Sequence, residues 1–316
     1  MNDPIIDAEN EKKTGRIFPG VPPYGLSCLH THTVFCDGKD EIETYCRRAW
    51  ERGFHSLGFS AHAPVTKKTG IASSWNLPDS RLEEYLDAVR AARRRWEGKL
   101  PVYLGLEVDY IGGLMGPADK DYREMGLDYL IGVVHYIIPP WSEPFTVDGS
   151  REELERGLEE GFGGDGEALM GCYWDQAAAM IRAGGFEILG HADLIKKNNQ
   201  AAAGPRFFDP AGPVYLRRIG EIAALAGEAR SGMVVEVNTG GMNRGRINET
   251  YPSPAMLRLF REQGLRAVIS ADAHRAQDLD GHYREALETM RKAGYTATVL
   301  FEGREGERPR WVEREL

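Results

Sequence analysis

Seven short apolar segments, rich in β-branched residues, alternate along this chain with segments of helical periodicity. The apolar segments are Leu26–Leu29, Ser56–Phe59, Val102–Leu106, Leu130–Val134, Phe186–Leu189, Met233–Val237 and Ala267–Ile269. The candidate helices are Glu41–Arg52, Arg81–Trp96, Tyr173–Ala183, Val214–Gly227, Pro254–Gln263 and Tyr283–Lys292. Strands that alternate with helices predict a parallel sheet with its helices outside, and nearly continuous apolar strands predict burial on both faces. Seven such units in 316 residues predict an α/β fold, a (β/α)7 barrel of the TIM-barrel type in a single domain.

Two stretches fall outside this alternation. Residues 139–171 combine a Pro-Pro pair, a Glu-rich middle and a Gly-Gly pair, and they predict an inserted loop and helix over the mouth of the barrel. Near the end of the chain, Thr296–Phe301 and Arg310–Glu313 predict a hairpin at the edge of the sheet.

Composition narrows the classes of function. Lys and Arg number 39 and Asp and Glu number 48, so the formal net charge is −9 and the sequence pI is near 5.5. Electrostatic nucleic-acid binders carry a basic excess, so the balance favours small anions over polynucleotides as partners. The first twenty residues lack the apolar core of a secretory signal, and no apolar run approaches membrane-spanning length. The four cysteines, Cys28, Cys36, Cys46 and Cys172, form no CxxC pair, so we expect a protein of the reducing cytoplasm without a disulfide framework.

Ligand-type side chains follow every predicted strand. In chain order they are His30, His32 and Asp37; His62; Glu107 and Asp109; His135; His191 and Asp193; Glu236 and Asn238; and Asp272 and His274. The carboxyl ends of parallel barrel strands form one face, where barrel enzymes carry their active sites. Six of the eight histidines are therefore expected on that face. The other two, His55 and His282, lie in a helix–strand turn and at a helix start, and we expect them to be solvated.

The spacing of these residues is typical of metal ligands. Residues i and i+2 of a strand point to the same face, so His30 and His32 can aim at one ion, and so can Asp272 and His274. Imidazole together with carboxylate suits Zn, Mn or Fe. A single strand histidine is more often a hydrogen-bonded core residue than a ligand, but seven strands that each deliver a ligand-type side chain outweigh that interpretation. The six histidines and their neighbouring carboxylates exceed the needs of one tetrahedral ion, so they predict two or three divalent ions that share bridging ligands.

The motifs at these positions resemble those of a known family. LHTHTVFCDG, FSAHAP, GLEVDY, IGVVH, LGHADLIKK and SADAH resemble, in order, the motifs of the PHP (polymerase and histidinol phosphatase) family, most of all its monofunctional histidinol-phosphatase branch. The resemblance covers about residue 26 to the C-terminus. It implies a distorted seven-stranded barrel over residues 26–316 with a trinuclear metal centre, and it leaves residues 1–25 as an N-terminal extension.

Transferred position by position, the resemblance implies three metal subsites. His30, His32, Glu107 and Asp272 form the first; Glu107, His135 and His191 form the second, with Glu107 bridging; Asp37, His62 and His274 form the third. Glu107, Asp272 and His274 are also assigned to catalysis. Many relatives carry S-D-H where this chain has Ser60-Ala61-His62, which removes one carboxylate from behind the ligands.

Basic residues after the fifth and sixth strands are candidates for holding a phosphate. Lys196 and Lys197 follow the fifth strand, and Arg244 and Arg246 lie in NTGGMNRGR, whose glycines let backbone N–H groups approach an anion closely. Arg244 is the preferred clamp because a guanidinium matches phosphate bidentately, whereas plain surface charge is the alternative for all four. Asp109 either meets a substrate ammonium group or lies behind a metal ligand.

The function that the resemblance implies is hydrolysis of L-histidinol phosphate to L-histidinol and phosphate in histidine biosynthesis, by metal-activated hydroxide. The partner is then a small-molecule phosphate monoester, and neither nucleic acid nor a membrane is expected. The alternatives are a phosphoesterase acting on nucleotides or oligonucleotide ends, a metal-binding barrel without catalysis, and metal-dependent amide hydrolysis. The acidic balance of the chain disfavours the first, and the SADAH motif together with Glu107 disfavours the last.

Overall fold

Seven parallel strands form one sheet in a computed structural model of the protein, which describes residues 26–229, 232–303 and 310–316. The described strands are β1 (Leu26–Cys28), β2 (Phe54–His62), β3 (Val102–Asp109), β4 (Tyr129–Val133), β5 (Tyr136–Ile137), β6 (Phe145–Thr146), β7 (Ile188–Leu189), β8 (Val234–Asn238), β9 (Ala267–Ser270), β10 (Ala297–Glu302) and β11 (Arg310–Glu315). The order in the main sheet is β1-β2-β3-β4-β7-β8-β9. Each predicted apolar segment coincides with one of these seven strands, with ends that differ by a few residues.

The two outer strands of this sheet meet just beyond their carboxyl ends. Thr31 and Ala273 form a parallel bridge, in which the N–H of His32 donates to the carbonyl of Ala273 at 2.9 Å and the N–H of Ala273 donates to that of His30 at 3.1 Å. The sheet is therefore nearly closed, and the predicted fold class, a distorted seven-stranded barrel, is confirmed. Closure also brings the loop after β1 beside the loop after β9.

The helices lie outside the barrel. They are α1 (Ile42–Glu51), α2 (Leu82–Arg95), α3 (Lys120–Glu124), α4 (Arg151–Phe162), α5 (Gly166–Ala183), α6 (Pro213–Glu228), α7 (Gly240–Asn243), α8 (Pro254–Glu262) and α9 (Tyr283–Ala293). In α1 the buried residues Ile42, Tyr45, Cys46 and Ala49 follow the spacing of one apolar stripe. α5 begins earlier than predicted because the carboxylate of Asp165 accepts two backbone N–H groups of its first turn at 3.0 Å.

The segment predicted as an insertion contains a strand and a helix. β6 pairs antiparallel with β5, and α4 begins with a capping box between Ser150 and Glu153. Nζ of Lys197 donates to the carboxylate of Asp148 at 2.7 Å, and Arg151 donates to the carbonyl of Asn198 at 2.9 Å. These contacts fasten the segment to the loop after β7.

The predicted pairing of the last two strands is confirmed, since β10 and β11 are antiparallel. Their predicted position at the edge of the sheet is wrong, because they form a sheet of their own. The ring of Phe301 packs on those of Tyr103 and Tyr129, with centroids 5.1 and 5.6 Å away, in the apolar cluster inside the barrel. Both tyrosines stand at the amino ends of their strands, so the hairpin closes the end of the barrel opposite the predicted ligands.

Among the described residues, no helix combines the length and the apolar character needed to cross a membrane. Residues 1–25, predicted to be an N-terminal extension, lie outside the described residues.

Candidate metal centre

The carboxyl ends of the barrel strands bring all nine predicted metal ligands together. They are His30 and His32 directly after β1, Asp37 in the following loop, His62 at the end of β2, Glu107 in β3, His135 and His191 shortly after β4 and β7, and Asp272 and His274 after β9. All are buried except Asp37 and His274, which are half-buried. The register of the strands helps to bring these ligands together, because His62 in β2 is the cross-strand partner of Glu107 in β3.

Glu107 stands at the centre of this group. Its Oε1 lies 2.8 Å from Nε2 of His191 and 3.2 Å from Nε2 of His30. Its Oε2 lies 2.7 Å from Nδ1 of His62, and Nε2 of His135 is 3.7 Å from Oε1. A carboxylate whose two oxygens both face imidazole nitrogens has the arrangement of a ligand shared by two ions.

Asp37 and Asp272 complete the other end of the group. Oδ2 of Asp37 lies 3.0 Å from Nε2 of His274, and its Oδ1 lies 3.6 Å from Nε2 of His62. Oδ1 of Asp272 lies 3.2 Å from Nε2 of His32. His32 therefore stands between the Asp37 end and the Glu107 end of the centre.

The potential ligand atoms fall into four overlapping groups, in each of which all atoms lie within 4.8 Å of one another. The groups are His32, Asp37, His62 and His274; His30, His32 and Asp272; His30, Glu107 and His191; and His62, Glu107 and His135. They differ from the three predicted subsites, since Glu107 groups with His30 and His191 and with His62 and His135 but not with His32 and Asp272. His32 also groups with Asp37, and His135 groups with His62 rather than with His191.

Buried polar atoms without hydrogen-bond partners accumulate at this centre. Among the described residues, such atoms include His30 Nε2, His32 Nε2, Asp37 Oδ1, His62 Nδ1 and Glu107 Oε2, of which the last two lie 2.7 Å apart without the geometry of a hydrogen bond. Buried polar groups in folded proteins are nearly always hydrogen-bonded, so these five atoms call for a further partner. They are imidazole nitrogens and carboxylate oxygens that belong to the clustered ligand groups, and a divalent cation coordinates atoms of both kinds. The residues therefore fit the implied metal ions.

The electrostatics of the centre favour added positive charge. Burial lowers the pKa of His135, but the carboxylates of Asp109 and Glu107 outweigh it and raise that pKa to about 10. Burial raises the pKa of Glu107, yet the surrounding histidines hold it well below its ordinary range. Burial and two neighbouring histidines lower the pKa of His32 to about 3, so this ring stays neutral and keeps a lone pair for a metal.

Two buried carboxylates lie behind the histidines. Oδ1 of Asp109 accepts the backbone N–H of His135 at 2.8 Å and lies 3.1 Å from its Nδ1. Oε1 of Glu236 lies 2.8 Å from Nδ1 of His30, and its Oε2 accepts the backbone N–H of His191 at 2.9 Å. Such partners fix the tautomer and orientation of a ring so that its other nitrogen faces the metal. Of the two roles left open for Asp109, this contact supports the one behind a ligand.

Glu236, placed by its sequence position among the ligand-type side chains at the strand ends, received no role there, and the structure gives it one. A signal exists, since Glu236 is a charged residue within β8, between the buried Val235 and Val237. A buried charge is tolerated only when it is paired, so its position in a buried strand predicts a partner. That the partner is His30, 206 residues earlier, follows only from the fold.

Arg244 lies against the centre. Its guanidinium donates to the carboxylate and to the carbonyl of Asp272, each at 3.0 Å, and lies 3.0 Å from Nδ1 of His274. Its side chain is 31% exposed. Gly240, one of the glycines before Arg244, lies close to Asp272, because a Cβ there would be 2.7 Å from the Asp272 carboxylate. Arg246 is exposed.

The two predicted lysines differ in their surroundings. Lys197 is paired with Asp148, which lines the cavity described next. Lys196 is buried, with its ammonium 3.1 Å from the carboxylate of Asp193 and 2.9 Å from that of Glu249. Its charge is therefore already compensated within the protein.

A cavity of about 800 Å³ opens beside the metal centre. Asp37 and His62 belong to its lining, together with residues of the 139–171 segment and with Trp75. The ring of Trp75 stacks on Tyr136 with centroids 5.4 Å apart and meets His62 edge-on at 4.6 Å. The predicted insertion thus borders the mouth of the site, and Trp75, which no motif singled out, forms part of its wall.

The two histidines predicted to stay outside the site lie away from the nine ligands. His282 is exposed at the start of α9, as expected. His55 belongs to β2 rather than to a turn and is half-buried, with Nε2 3.0 Å from the carboxylate of Glu302 in the hairpin. His55 is therefore solvated only in part, with 24% of its side chain exposed, because the hairpin at the amino end of the barrel packs beside it.

Comparison with known proteins agrees with this architecture. A probable histidinol-phosphatase from Deinococcus radiodurans is 30% identical over 281 residues, which are 89% of this chain and 98% of the relative. A Listeria monocytogenes structure assigned as a histidinol phosphatase superposes with a TM-score of 0.72 at 23% identity, covering 82% of this chain and 99% of that one. The histidinol phosphate phosphatase of Lactococcus lactis, solved with Zn, L-histidinol and phosphate, superposes with a TM-score of 0.60 at 18% identity, covering 88% and 97%. At these identities the two solved structures show a common fold.

The family itself is established by sequence. The PHP domain matches residues 29–240, a span that contains seven of the nine predicted ligands. The remaining two, Asp272 and His274, lie beyond the matched span but within the same barrel. With this match and a relative 30% identical over nearly its whole length, the chain belongs to the PHP domain family.

Proposed function

We propose that this protein is a metal-dependent phosphatase that hydrolyses L-histidinol phosphate to L-histidinol and inorganic phosphate. The observation that carries the proposal is the convergence of nine ligand-type side chains beside a cavity of about 800 Å³. The 30% identity to a probable histidinol-phosphatase supports the choice of substrate. So does the shared fold of the Lactococcus lactis enzyme, which was solved with Zn, L-histidinol and phosphate.

The metal requirement is two to three divalent ions of Zn, Mn or Fe. The mixture of imidazole and carboxylate donors suits these metals, and the overlap of the four ligand groups at His30, His32, His62 and Glu107 suits ions that share ligands. When bound, such ions neutralise phosphoryl charge and lower the pKa of water so that hydroxide is available near neutral pH.

The protein's own contribution is orientation. Glu236 and Asp109 hold the rings of His30 and His135 so that Nε2 of each faces Glu107. Glu107 remains ionised because the surrounding histidines outweigh its burial and depress its pKa. The ligand geometry is therefore set before substrate arrives, and preorganised charge of this kind stabilises a transition state without further rearrangement.

Arg244 is the residue we assign to the phosphoryl group. A guanidinium has five N–H donors in a planar fork, and the contacts to Asp272 and His274 leave donors free on a side chain that is 31% exposed. Lys197 is a second candidate because its ammonium pairs with one carboxylate, that of Asp148, which borders the cavity, whereas the ammonium of Lys196 pairs with two. Lys196 is not assigned to substrate, since two carboxylates already compensate its ammonium.

The other half of the substrate, with its ammonium group and imidazole ring, requires a carboxylate and an apolar wall. Burial raises the pKa of Asp148, but Lys197, followed by His135, holds it below its ordinary value, so Asp148 is an ionised acceptor beside the cavity. The stacked pair of Trp75 and Tyr136 supplies an aromatic face for the ring. We assign ammonium recognition to Asp148 and ring recognition to Trp75.

The substrate assignment is tested with a panel of phosphate esters. The metal-loaded protein is assayed on L-histidinol phosphate, p-nitrophenyl phosphate, a nucleoside monophosphate and a short single-stranded oligonucleotide. We expect kcat/KM on L-histidinol phosphate to exceed that on p-nitrophenyl phosphate by about 100-fold, because only the former engages the ammonium and ring contacts. Equal rates on all monoesters would refute the assignment, and faster release from nucleotides would favour a nucleotide phosphoesterase.

The metal requirement is tested by chelation. Metal content is measured by mass spectrometry before and after dialysis against EDTA, with circular dichroism as the check on folding. Turnover should be lost with the metal and restored by Zn, Mn or Fe, while the secondary structure persists. A fully loaded protein without turnover on any ester would instead favour a metal-binding barrel without catalysis.

A further inference from the structure

A basic depression of about 550 Å³ lies between α1 and the loops that follow β1 and β9. Its lining contains four cationic residues, Lys39, Arg47, Arg48 and Arg275. None of the nine predicted metal ligands lines it, and it shares no lining residue with the cavity beside the metal centre. The depression is therefore a separate surface, and the phosphatase function proposed above does not account for it.

Among the described residues, the four cationic side chains of this depression have no ion-pair or hydrogen-bond partner, although the carboxylate of Asp278 interacts electrostatically with Arg275. In the same part of the chain, Nε of Arg48 is buried without a hydrogen-bond partner. The next arginine on the same helix differs, since Arg52 is paired with Asp280. Unpaired guanidinium groups on neighbouring elements repel one another, so their grouping calls for an anion between them.

The lining carries a net positive charge, since four cationic side chains stand against two carboxylates. Its two carboxylates belong to Asp40 and Glu51, and the carboxylate of Asp40 already accepts the backbone N–H of Ala276 at 2.8 Å. Glu51 is exposed at the end of α1. A local excess of positive charge is notable in a chain with a formal net charge of −9, because the rest of the surface repels anions rather than collecting them.

The chemistry of the lining indicates what kind of anion fits. Arginine forks match the oxygens of a phosphoryl group bidentately, and Thr44 adds a hydroxyl to the lining. One depression of this size suits a single phosphoryl group with a small organic portion, whereas a polynucleotide needs an extended basic stripe. We propose that this depression is a second anion site, which binds the phosphoryl group of a small molecule or free inorganic phosphate.

The position of this second site couples it to the metal centre. The backbone N–H of Lys39 donates to the carbonyl of His274 at 2.8 Å, and Ala276 donates to Asp40. Lys39 and Arg275 thus stand one or two residues from Asp37 and His274, on loops that are bonded to each other. An anion held between Lys39 and Arg275 draws together the loops that carry two of the predicted ligands.

Calorimetric titration of the metal-loaded protein with inorganic phosphate tests the proposal. The parent protein should bind two equivalents, one at the metal centre and one in the depression. The double variant Arg47→Ala, Arg275→Ala removes two exposed cations and should bind one equivalent, or bind the second at least about tenfold more weakly. Binding that the double variant retains in full, whether one equivalent or two of unchanged affinity, would overturn the proposal, whereas a single equivalent in the parent that the double variant loses would place phosphate in the depression alone.

A control variant and a second ligand test where the anion binds and which kind of anion it is. Arg94→Ala removes an exposed arginine of α2 that has no ion pair within the described residues, and it should leave both equivalents intact; loss of the second equivalent there as well would refute the location. Methylphosphonate separates the sources of the anion, because a site for phosphorylated small molecules accepts it and a site for free phosphate alone does not. The outcome is independent of the substrate panel, since it measures binding rather than turnover.

Discussion

Oε1 of Glu107 lies 2.8 Å from Nε2 of His191, although 84 residues separate the two in the chain. Their strands are not neighbours, because β4 stands between β3 and β7. The contact therefore passes over the carboxyl end of β4, on the inner side of the curved sheet. Glu107 holds the middle of the centre, and the consequences of altering it should be correspondingly broad.

Glu107→Gln should remove bound metal and activity together. The amide is nearly isosteric but lacks the negative charge, and it replaces one carboxylate oxygen, either the one near His191 or the one near His62, by a group without a free lone pair. We expect loss of at least one metal equivalent and a fall in kcat of at least about 100-fold. Metal analysis of the purified variant and steady-state kinetics measure the two effects.

His55→Ala is the matched control for Glu107→Gln. His55 lies in the same strand as the ligand His62, but it is half-buried and paired with Glu302 at the opposite end of the barrel. Its loss should leave metal content and kcat unchanged. A Glu107→Gln protein that kept its metal and its turnover would contradict the assignment of the centre.

Asp109→Asn should weaken metal binding while leaving the fold intact. The carboxylate of Asp109 accepts the backbone N–H of His135 and lies beside Nδ1 of the same residue. Because this carboxylate orients a ligand, its loss should lower metal affinity by about 10–100-fold. Competition with a chromophoric chelator measures that affinity. Asp87→Asn, on the exposed face of α2, is the control. A raised KM with unchanged metal affinity would instead show that Asp109 meets the substrate ammonium.

The ligand set could be predicted from sequence because it depends on periodicity. The alternation of side chains along a strand places His30 and His32 on one face, and parallel strands bring their carboxyl ends together. Neither inference requires knowledge of which strands are neighbours. That is why the nine ligands were predicted as one cluster from the residues alone, whereas their division into subsites came from the family resemblance and differs from the groups in the structure.

The remaining features depend on contacts between distant parts of the chain. The pairing of Glu236 with His30 follows from the order of strands around the barrel. Trp75 borders the cavity because a loop after β2 folds back over it, and loop conformations leave no periodic signal. The hairpin was predicted at the sheet edge because alternation in β10 does not reveal that Phe301 packs inside the barrel.

Gly240→Ala should disturb the metal centre through Asp272. A Cβ at this position would lie 2.7 Å from the Asp272 carboxylate, and Asp272 already adopts a left-handed backbone conformation with φ of 47°, which a non-glycine residue rarely takes. We expect the methyl group to displace the carboxylate and to lower metal affinity by at least about tenfold. Metal analysis of the folded variant measures this.

Gly220→Ala is the matched control for Gly240→Ala. Gly220 lies in α6, and nothing lies within 4 Å of a Cβ built there. Because alanine is favoured over glycine inside a helix by about 1 kcal/mol, this variant should be as stable as the parent or more so, with full metal content. Equal metal content in the two variants would refute the steric argument at Asp272.

Arg244→Lys should impair catalysis although the positive charge is retained. The planar guanidinium fork of Arg244 contacts Asp272 and still has N–H donors for a phosphoryl group. A lysine ammonium lacks this fork and cannot make both sets of contacts. We expect kcat/KM to fall by about 100-fold and inhibition by inorganic phosphate to weaken. The exposed Arg246 supplies the control, since Arg246→Lys should match the parent in both measurements. An unimpaired Arg244→Lys enzyme would place phosphate recognition elsewhere.

Phe301→Ala should destabilise the fold without altering the chemistry of the site. The ring is almost fully buried and packs on Tyr103, Tyr129 and Trp311 at the amino end of the barrel. Removal of a buried phenylalanine costs about 3–5 kcal/mol of unfolding free energy, which denaturant titration measures. Metal content and kcat per folded molecule should stay at parental values, because the ligands lie at the opposite end of the strands. A fall in kcat larger than the fall in folded protein would contradict the view that the hairpin only closes the barrel.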